Sequence, residues 1–453
     1  MHPTGRHGVI RYNIDSPRQQ CPLHKLWKPD LDAFRYWFVV GIFCLTYCGL
    51  ALGKLPVLRT DRAGIALVGA VAMLAAGILP LDQAVAAIDA GTILLLFGMM
   101  IVVGHLHLSG FFEQLVRWTL GRIRTPRALL AAIIGLAGLL SAFLVNDIVC
   151  VALAPLVVRL TRRLRINPVP HLLGLATASN IGSAATMTGN PQNMIIGGLS
   201  EIPYLRFALY LAPPAVLGLL VNYLLIAWLY RQTLTADPAG DWGPVAVPEP
   251  APTGVPQWRT RAHDWLLWKS LGVTLTAVVL FCLGYPIAIV ALAAAAVLLL
   301  GRVRPEKIYR QVDWGLLVMF CGLFIVVQAF RIEVVEHWQV DRWRGLIEHP
   351  VTVLTLASAA LSNLVSNVPA VLLFKPVISA MPATQQETAW LALAMSSTFA
   401  GNLTMLGSVA NLIVVESARR EGVHLSFREY CRVGMPLTVL TIGLGVAWLL
   451  WIR

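Results

Sequence analysis

Long apolar runs constrain this chain more than any other feature of its sequence. Runs of roughly 17 to 20 apolar residues recur about ten times, and each is long enough to cross the hydrocarbon layer of a bilayer as an α-helix. Hydrophobic residues make up 57% of the 453 residues, which is more than one soluble core would bury. We therefore predict an all-α, polytopic membrane protein with about ten transmembrane helices.

The second half of the sequence repeats the first half. Residues 312–327 align with residues 88–103, and both stretches contain Asp-x-Gly with a second glycine seven residues further on. Residues 396–415 align with residues 178–197, and both contain a Thr-Met pair followed by a glycine and an asparagine at the same spacing. Because the blocks occur in the same order in each half, we interpret them as an internal duplication.

The duplication divides the chain into four parts. We predict a polar basic tail (1–35), a first transmembrane repeat (36–230), a Pro- and Gly-rich linker (231–264) and a second transmembrane repeat (265–453). In each repeat, a hairpin that enters and leaves on one face of the membrane precedes a helix that is broken at membrane depth. The predicted re-entrant hairpins span 128–162 and 350–378, and the predicted broken helices span 171–199 and 387–418.

Basic residues indicate how the repeats are oriented. When successive loops are assigned to alternate sides, one side has 23 Lys and Arg residues and the other has 6. The more basic side is cytoplasmic by the positive-inside rule, which makes the linker cytoplasmic, the C-terminus external and the two repeats inverted. Since the net charge of +12 lies largely in these short loops, it indicates topology and not nucleic-acid binding.

Polar residues interrupt the apolar segments at matching places. Asn146 and Asp147 form the tip of the first predicted hairpin, and Asn367 forms the tip of the second. Asn146 stands nine residues before Pro155, as Asn367 stands nine before Pro376. A carboxylate at bilayer depth costs about 3 kcal/mol or more, so it normally faces protein or water and has a function.

Inverted repeats with re-entrant hairpins and broken helices are typical of secondary transporters whose site lies near the bilayer midplane. The helices that start after each break present positive N-terminal ends to an anion, whereas the preceding carbonyl ends suit a small cation or a proton carrier. Asp147, the only acid at a hairpin tip, is the candidate for proton coupling. The candidate substrate- and ion-binding residues are Asn146, Asp147, Gly189, Asn190, Asn193, Ser366, Asn367, Thr404, Gly407, Ser408 and Asn411.

These polar residues also have a purely structural interpretation. Asn146, Asp147 and Asn367 could simply cap the helices that follow them, and Asn190 could be an N-cap with Pro191 at the first helical position. The sequence shows no HExxH, paired-acid or Ser/His/Asp pattern, so we expect no catalytic residues, no metal site and no cofactor other than a coupling ion.

The hairpin and broken-helix motifs resemble those of the ion transporter superfamily, which includes divalent anion/sodium symporters, citrate transporters, arsenite efflux pumps and sodium/proton antiporters. GNPQNMIIG (189–197) and SNVPAVLL (366–373) are similar to its citrate-transporter-like inner-membrane anion permeases. The symporter branch has Ser-Asn-Thr at both tips. Here Val145-Asn146-Asp147 keeps only the central asparagine, and the Asn-Asp pair is more similar to the arsenite pumps, for which proton coupling is the natural expectation.

The resemblance implies a secondary active transporter of a small anion, either a carboxylate or an inorganic oxyanion, that is coupled to H⁺ or Na⁺ and works by alternating access. Arsenite or antimonite efflux and sodium/proton antiport are the alternatives within transport, and a passive channel is the alternative from a different class. The expected partners are a small anionic substrate and the lipid bilayer of the inner membrane; a homodimer is left open, and no nucleic acid is expected.

Overall fold

The computed structural model describes residues 28–52, 61–120, 123–235, 261–301, 303–334 and 349–452. Within these ranges the regular secondary structure is helical and contains no β-strand, which confirms the predicted all-α fold class. Most of the predicted tail and most of the predicted linker lie outside the described residues, so the division of the chain into four parts stays a prediction.

Twenty helices are described, and we number them in chain order. Helices α1 to α11 are Lys28–Leu52, Arg62–Ala75, Leu81–Ala87, Ala90–Leu108, Phe111–Leu120, Pro126–Phe143, Asn146–Arg163, Val169–Ser183, Pro191–Leu199, Tyr204–Leu229 and Arg231–Thr235. Helices α12 to α20 are Arg261–Cys282, Ile287–Leu299, Pro305–Tyr309, Trp314–Glu333, Pro350–Val365, Asn367–Ser379, Ala383–Ala400, Val409–Arg420 and Phe427–Trp451.

Six helices among the described residues are long and apolar enough to cross a membrane. They lie at Ala90–Leu108, Pro126–Phe143, Tyr204–Leu229, Trp265–Cys282, Trp314–Glu333 and Phe427–Trp451. The described residues also include shorter apolar helices, such as α2 and α13. The count of about ten transmembrane helices therefore stays a prediction.

Matching helices of the two repeats begin in the same way. The carboxylate of Asp89 accepts a hydrogen bond from the backbone N–H of Thr92 at 2.6 Å and caps α4. The carboxylate of Asp313 accepts one from the N–H of Leu316 at 2.9 Å and caps α15. An aspartate at this position satisfies a backbone donor that the helix leaves free and interacts favourably with the helix dipole.

The duplication also produces the same helix crossing twice. Helix α4 packs against α13, and α15 packs against α2. A Cβ atom added at Gly98 in α4 would lie 2.7 Å from the backbone carbon of Ala291, and one added at Gly322 in α15 would lie 2.8 Å from that of Ala66. Each crossing joins one repeat to the other, and the two are equivalent by the alignment of the halves.

Each predicted hairpin is a pair of helices that pack together across a sharp turn. The first consists of α6 and α7 and turns at residues 144–145, and the second consists of α16 and α17 and turns at Ser366. Ser366 has a φ of +79°, a conformation that side-chain-bearing residues rarely adopt. Each predicted broken helix is also two helices, α8 with α9 and α18 with α19, separated by non-helical segments at 184–190 and 401–408.

Candidate functional site

The N-terminal ends of four helices meet at one cavity. The cavity is partly open, and its space amounts to about 540 Å³ when the adjoining solvent is included. Because the first turn of a helix has unpaired backbone N–H groups and a partial positive charge, four such ends create a strongly anion-attracting environment. The residues at the starts of α7, α9, α17 and α19 that line the cavity are Asn146, Asp147, Pro191, Gln192, Asn367, Val368, Val409 and the N-cap residue Ser408.

A second group of helices, α1, α2 and α15, packs together and completes the lining of the cavity. Leu50 of α1, together with Leu316 and Met319 of α15, makes this part of the lining largely apolar. Arg62, the first residue of α2, is its charged member and is half-buried. The cavity is therefore lined by the polar helix ends of the hairpins and breaks and by an apolar wall with a single guanidinium.

The two tip asparagines have equivalent surroundings. Asn146 and Asn367 are the first residues of α7 and α17, and the preceding residues, Val145 and Ser366, make no side-chain capping bond. Neither asparagine is therefore the N-cap residue of its helix, and the capping interpretation of these two is wrong. Asn146 is 4% exposed and Asn367 is 8% exposed, and the Oδ1 atom of each has no hydrogen-bond partner among the described residues.

A chain of amide hydrogen bonds fixes the orientation of Asn146. The Nδ2 atom of Asn411 donates to the backbone carbonyls of Gly401 and Thr404, so its Oδ1 atom must face the other way. This Oδ1 accepts a bond from Nδ2 of Asn180 at 3.0 Å, and Oδ1 of Asn180 accepts one from Nδ2 of Asn146 at 3.1 Å. The remaining atom, Oδ1 of Asn146, is thus a buried acceptor that lacks a donor.

Each broken helix also bonds to the break of the other repeat. Asn180 in α8 accepts a second hydrogen bond from Oγ of Ser408, at 2.9 Å. Thr398, which holds the matching place in α18, accepts bonds from Nδ2 of Asn190 and Nε2 of Gln192, both at 3.3 Å. These reciprocal contacts connect the two breaks into one polar cluster behind the cavity.

Asn193 and Asn411 support the backbone of the breaks. The Nδ2 atom of Asn193 donates to the carbonyls of Ser183 and Thr186, as Asn411 does to the matching carbonyls of the second break. Asn190 caps α9 through the N–H of Asn193, and Pro191 follows it, as the structural interpretation predicted. These side chains satisfy backbone groups that would otherwise be unpaired at membrane depth.

The glycines of the breaks lie where the backbone of one segment touches another. A Cβ atom at Gly407 would lie 2.8 Å from the carbonyl oxygen of Gly401, and one at Gly189 would collide with the carbonyl oxygen of Ser183. The carbonyl of Gly189 also accepts the N–H of Asn146 at 3.0 Å, which attaches the first hairpin tip to the first break. Both glycines are therefore required by packing.

The structure separates the eleven predicted site residues into two groups. The residues that line the cavity are Asn146, Asp147, Ser366, Asn367 and Ser408. The residues that lie in the breaks and do not line it are Gly189, Asn190, Asn193, Thr404, Gly407 and Asn411.

Three polar residues of the site were not identified from the sequence. Arg62 was counted as a loop charge that sets topology, although it lines the cavity. Asn180 lies inside the predicted run before the first break, and Gln192 lies in that break but is not among the predicted binding residues. Alignment of the two halves could have identified Asn180, because its counterpart Thr398 is also polar.

Comparisons with known proteins agree on the kind of protein. A family model described as Citrate transporter matches residues 50–400. The silicon efflux transporter LSI3 of Oryza sativa subsp. japonica is 33% identical over 451 aligned residues, which cover 87% of this chain and 93% of LSI3. The inner membrane protein YbiR of Escherichia coli (strain K12) is 29% identical, with 79% of this chain and 87% of YbiR covered.

Two solved structures share the fold. The YdaH transporter of Alcanivorax borkumensis matches with a TM-score of 0.55 and 17% identity, over 93% of this chain and 98% of that one. MtrF of Neisseria gonorrhoeae matches with a TM-score of 0.56 and 13% identity, over 92% of this chain and 94% of that one. Together with the long apolar helices, these matches confirm the prediction of a multi-pass membrane protein.

Proposed function

Because the chain belongs to the citrate transporter family, as its hairpin and broken-helix motifs indicated, we propose that it is a secondary active transporter of a small oxyanion or weak oxyacid. The substrate binds in the cavity between the four helix N-termini. The observation that carries the proposal is the matched pair of buried amide oxygens at Asn146 and Asn367, which have no donor and lie beside these N-terminal ends.

The cavity offers two kinds of polar group to a ligand. The helix N-termini donate hydrogen bonds to negatively charged or carbonyl oxygens. The orphaned amide oxygens accept hydrogen bonds, and a buried acceptor without a donor costs about 1–3 kcal/mol, so a ligand that supplies the donor gains that energy. An oxyacid that keeps a hydroxyl group, or an oxyanion accompanied by a cation, satisfies both groups at once.

Because the two buried amide oxygens need hydrogen-bond donors, efflux of a weak oxyacid is a second candidate function. The relative LSI3 is a silicon efflux transporter, and silicic acid presents hydroxyl donors on every side. Arsenite efflux, predicted from the Asn-Asp tip, involves the same kind of hydroxylated species. Both orphaned oxygens, Asn146 Oδ1 and Asn367 Oδ1, can accept such hydroxyls.

We assign the coupling of transport to proton movement to Asp147. Its side chain is half-buried and lines the cavity, and its counterpart in the second repeat is Val368, which carries no proton. An acid at membrane depth that borders the substrate cavity is suited to move a proton together with substrate. Sodium is the alternative coupling ion, since amide and carboxylate oxygens are hard ligands for such a cation.

Proteoliposomes containing the purified chain test the proposal. A carrier accumulates substrate against its gradient when a proton gradient is imposed, whereas a passive channel permits only downhill flux. A thermal-shift screen with citrate, sulfate, phosphate, arsenite and silicic acid identifies the substrate beforehand. Absence of uphill transport for every stabilising compound, under both proton and sodium gradients, would refute secondary active transport.

The amide oxygens are tested by Asn146→Ser and Asn367→Ser. Serine is too short to place an oxygen where the amide oxygen lies, so each change should weaken substrate binding about tenfold or more. Asn367→Ser is the cleaner variant, because Asn146 also donates to Asn180. Asn222→Ser is the control, since Asn222 is fully buried but does not line the cavity. If the substrate stabilises all three variants equally, Asn146 and Asn367 do not contribute to the binding site.

A further inference from the structure

Two of the positions at which the repeats differ in charge line the cavity. Asp147 follows the tip asparagine of the first hairpin, and Val368 follows that of the second. Helices α2 and α13 are also equivalent, because they form the matching crossings at Ala66 and Ala291. Four residues before these alanines, α2 begins with Arg62 and α13 begins with Ile287. The first half thus contains an acid and a base where the second half has two apolar residues.

The acid and the base belong to different groups of helices that line the cavity. Arg62 belongs to the apolar wall and Asp147 to the wall of helix ends. Both side chains are half-buried and line the same cavity, so their opposite charges lie close to one another without forming a direct ion pair. Asp313, the N-cap of α15, is the other charged group that acts on Asp147. Its carboxylate is already bound to the N–H of Leu316.

Other elements packed on α7 place their charges elsewhere. Helix α19 carries Glu416, Arg419 and Arg420 in its last turns. These turns lie near the C-terminal end of α7, where Arg162 pairs with Glu421. In α8, His171 bonds to the carbonyl of Pro126 at the start of the first hairpin, away from its tip. Helix α5 meets α7 near Leu153 and Val157, beyond the first turn.

We propose that Arg62 is the residue that binds the negative charge of the substrate, and that Asp147 neutralises Arg62 when the cavity is empty. This inference rests on the proposed function, in which the cavity binds a small oxyanion. A proton from the aqueous phase adds to a carboxylate oxygen of Asp147, and Arg62 is then free to pair with the anion. When the anion leaves, the proton leaves with it, and the ionised Asp147 again balances the charge of Arg62.

Charge balance explains why the two ligands move together. The empty cavity contains Arg62 and ionised Asp147, with a combined charge of zero. The loaded cavity contains Arg62, neutral Asp147 and a monovalent anion, again with a charge of zero. A cavity with only the proton or only the anion carries a net charge, which is unfavourable at low dielectric constant. Only the empty and the fully loaded protein are therefore expected to switch the cavity from one side of the membrane to the other.

A ligand-free experiment tests the pair itself. Arg62→Gln and Asp147→Asn each leave one uncompensated charge, so each should lower the melting temperature by at least about 2 °C, whereas the double variant should melt within about 1 °C of the wild type. Arg127→Gln removes an exposed arginine at the start of α6 and serves as the matched control. If the decreases in melting temperature simply add in the double variant, the two charges do not compensate each other and the inference is wrong. The same conclusion follows if Asp147→Asn folds and the double variant does not.

Binding tests the role in transport. Titration with sulfate, phosphate and citrate should show tighter binding of at least one anion to the wild type as the pH falls. Arg62→Gln should weaken that binding at least about tenfold at every pH, and Asp147→Asn should bind tightly without pH dependence. Unchanged affinity in Arg62→Gln would overturn the inference. If the wild type binds none of these anions, the proposed substrate class is wrong, and the ligand-free melting comparison still decides whether the pair exists.

Discussion

Asn180 is the side chain on which the geometry of the candidate site depends most. It lies in α8, is 1% exposed, and takes part in four hydrogen bonds to residues of the first hairpin tip and the second break. Its partners are Asn146, Asn402, Ser408 and Asn411. The substitution Asn180→Ala removes all four bonds and leaves two buried amide oxygens without their donor.

The expected cost follows from the number of bonds. One hydrogen bond contributes about 0.5–1.5 kcal/mol, and interhelical bonds in membrane proteins lie near the lower end of this range, so four bonds give about 2–6 kcal/mol. Asn222 in α10 is a matched control, because it is 0% exposed but accepts a single bond, from Oγ1 of Thr177 at 3.0 Å. Asn222→Ala should therefore cost at most about 1.5 kcal/mol.

Thermal unfolding in detergent, with and without a stabilising substrate, measures both effects. Asn180→Ala should have the lower melting temperature of the two variants and should lose substrate stabilisation, because Asn146 is no longer held at the cavity. Asn222→Ala should keep substrate stabilisation. Equal melting temperatures for the two variants would refute the reasoning, since they would mean that the buried amide network contributes no more than one isolated bond.

Three further predictions concern the scaffold and the topology. Gly98→Val and Gly322→Val should each destabilise the protein by about 1–3 kcal/mol in thermal unfolding, because they force apart equivalent helix crossings, whereas Gly135→Ala, with open space around it, should not. Asn193→Asp keeps the side-chain shape but faces backbone carbonyls with an acceptor, so it should lower the melting temperature by several degrees. An alkaline phosphatase fused after Arg453 should be active, and a silent fusion there would contradict the inverted topology.

The sequence predicted those features that depend on local chemistry. Breaks at membrane depth require residues such as Asn190, Pro191 and Gly407, and these residues are visible in any reading of the chain. The duplication then showed that each feature occurs twice. The capping interpretation of Asn146 was wrong because α7 begins at that residue and not after it, and a difference of one position in a helix boundary is beyond what a sequence pattern defines.

The sequence did not predict features that arise only when distant segments meet. Asn180 is one of several polar residues near the end of its helix, and three of its four partners, Asn402, Ser408 and Asn411, lie in the other half of the chain. Arg62 is one of several basic residues near loops, and only the packing of α2 beside the hairpin tips places it in the cavity. Alignment of the two halves could have singled out both residues. The counterpart of Asn180 is Thr398, so this position is polar in both halves, whereas the counterpart of Arg62 is the apolar Ile287, so this position differs in charge.

The bonds between Asn180 and the second break have a consequence for how the protein is made. Asn180 is 222 residues ahead of Asn402 and 231 residues ahead of Asn411. At about 5–20 residues per second, a ribosome needs about 11–46 s to synthesise the intervening chain. During that interval the first repeat can already be in the bilayer while its central amide has no acceptor. We therefore expect this polar centre to stay hydrated, or to be covered by the insertion machinery, until the last eighth of the chain has emerged.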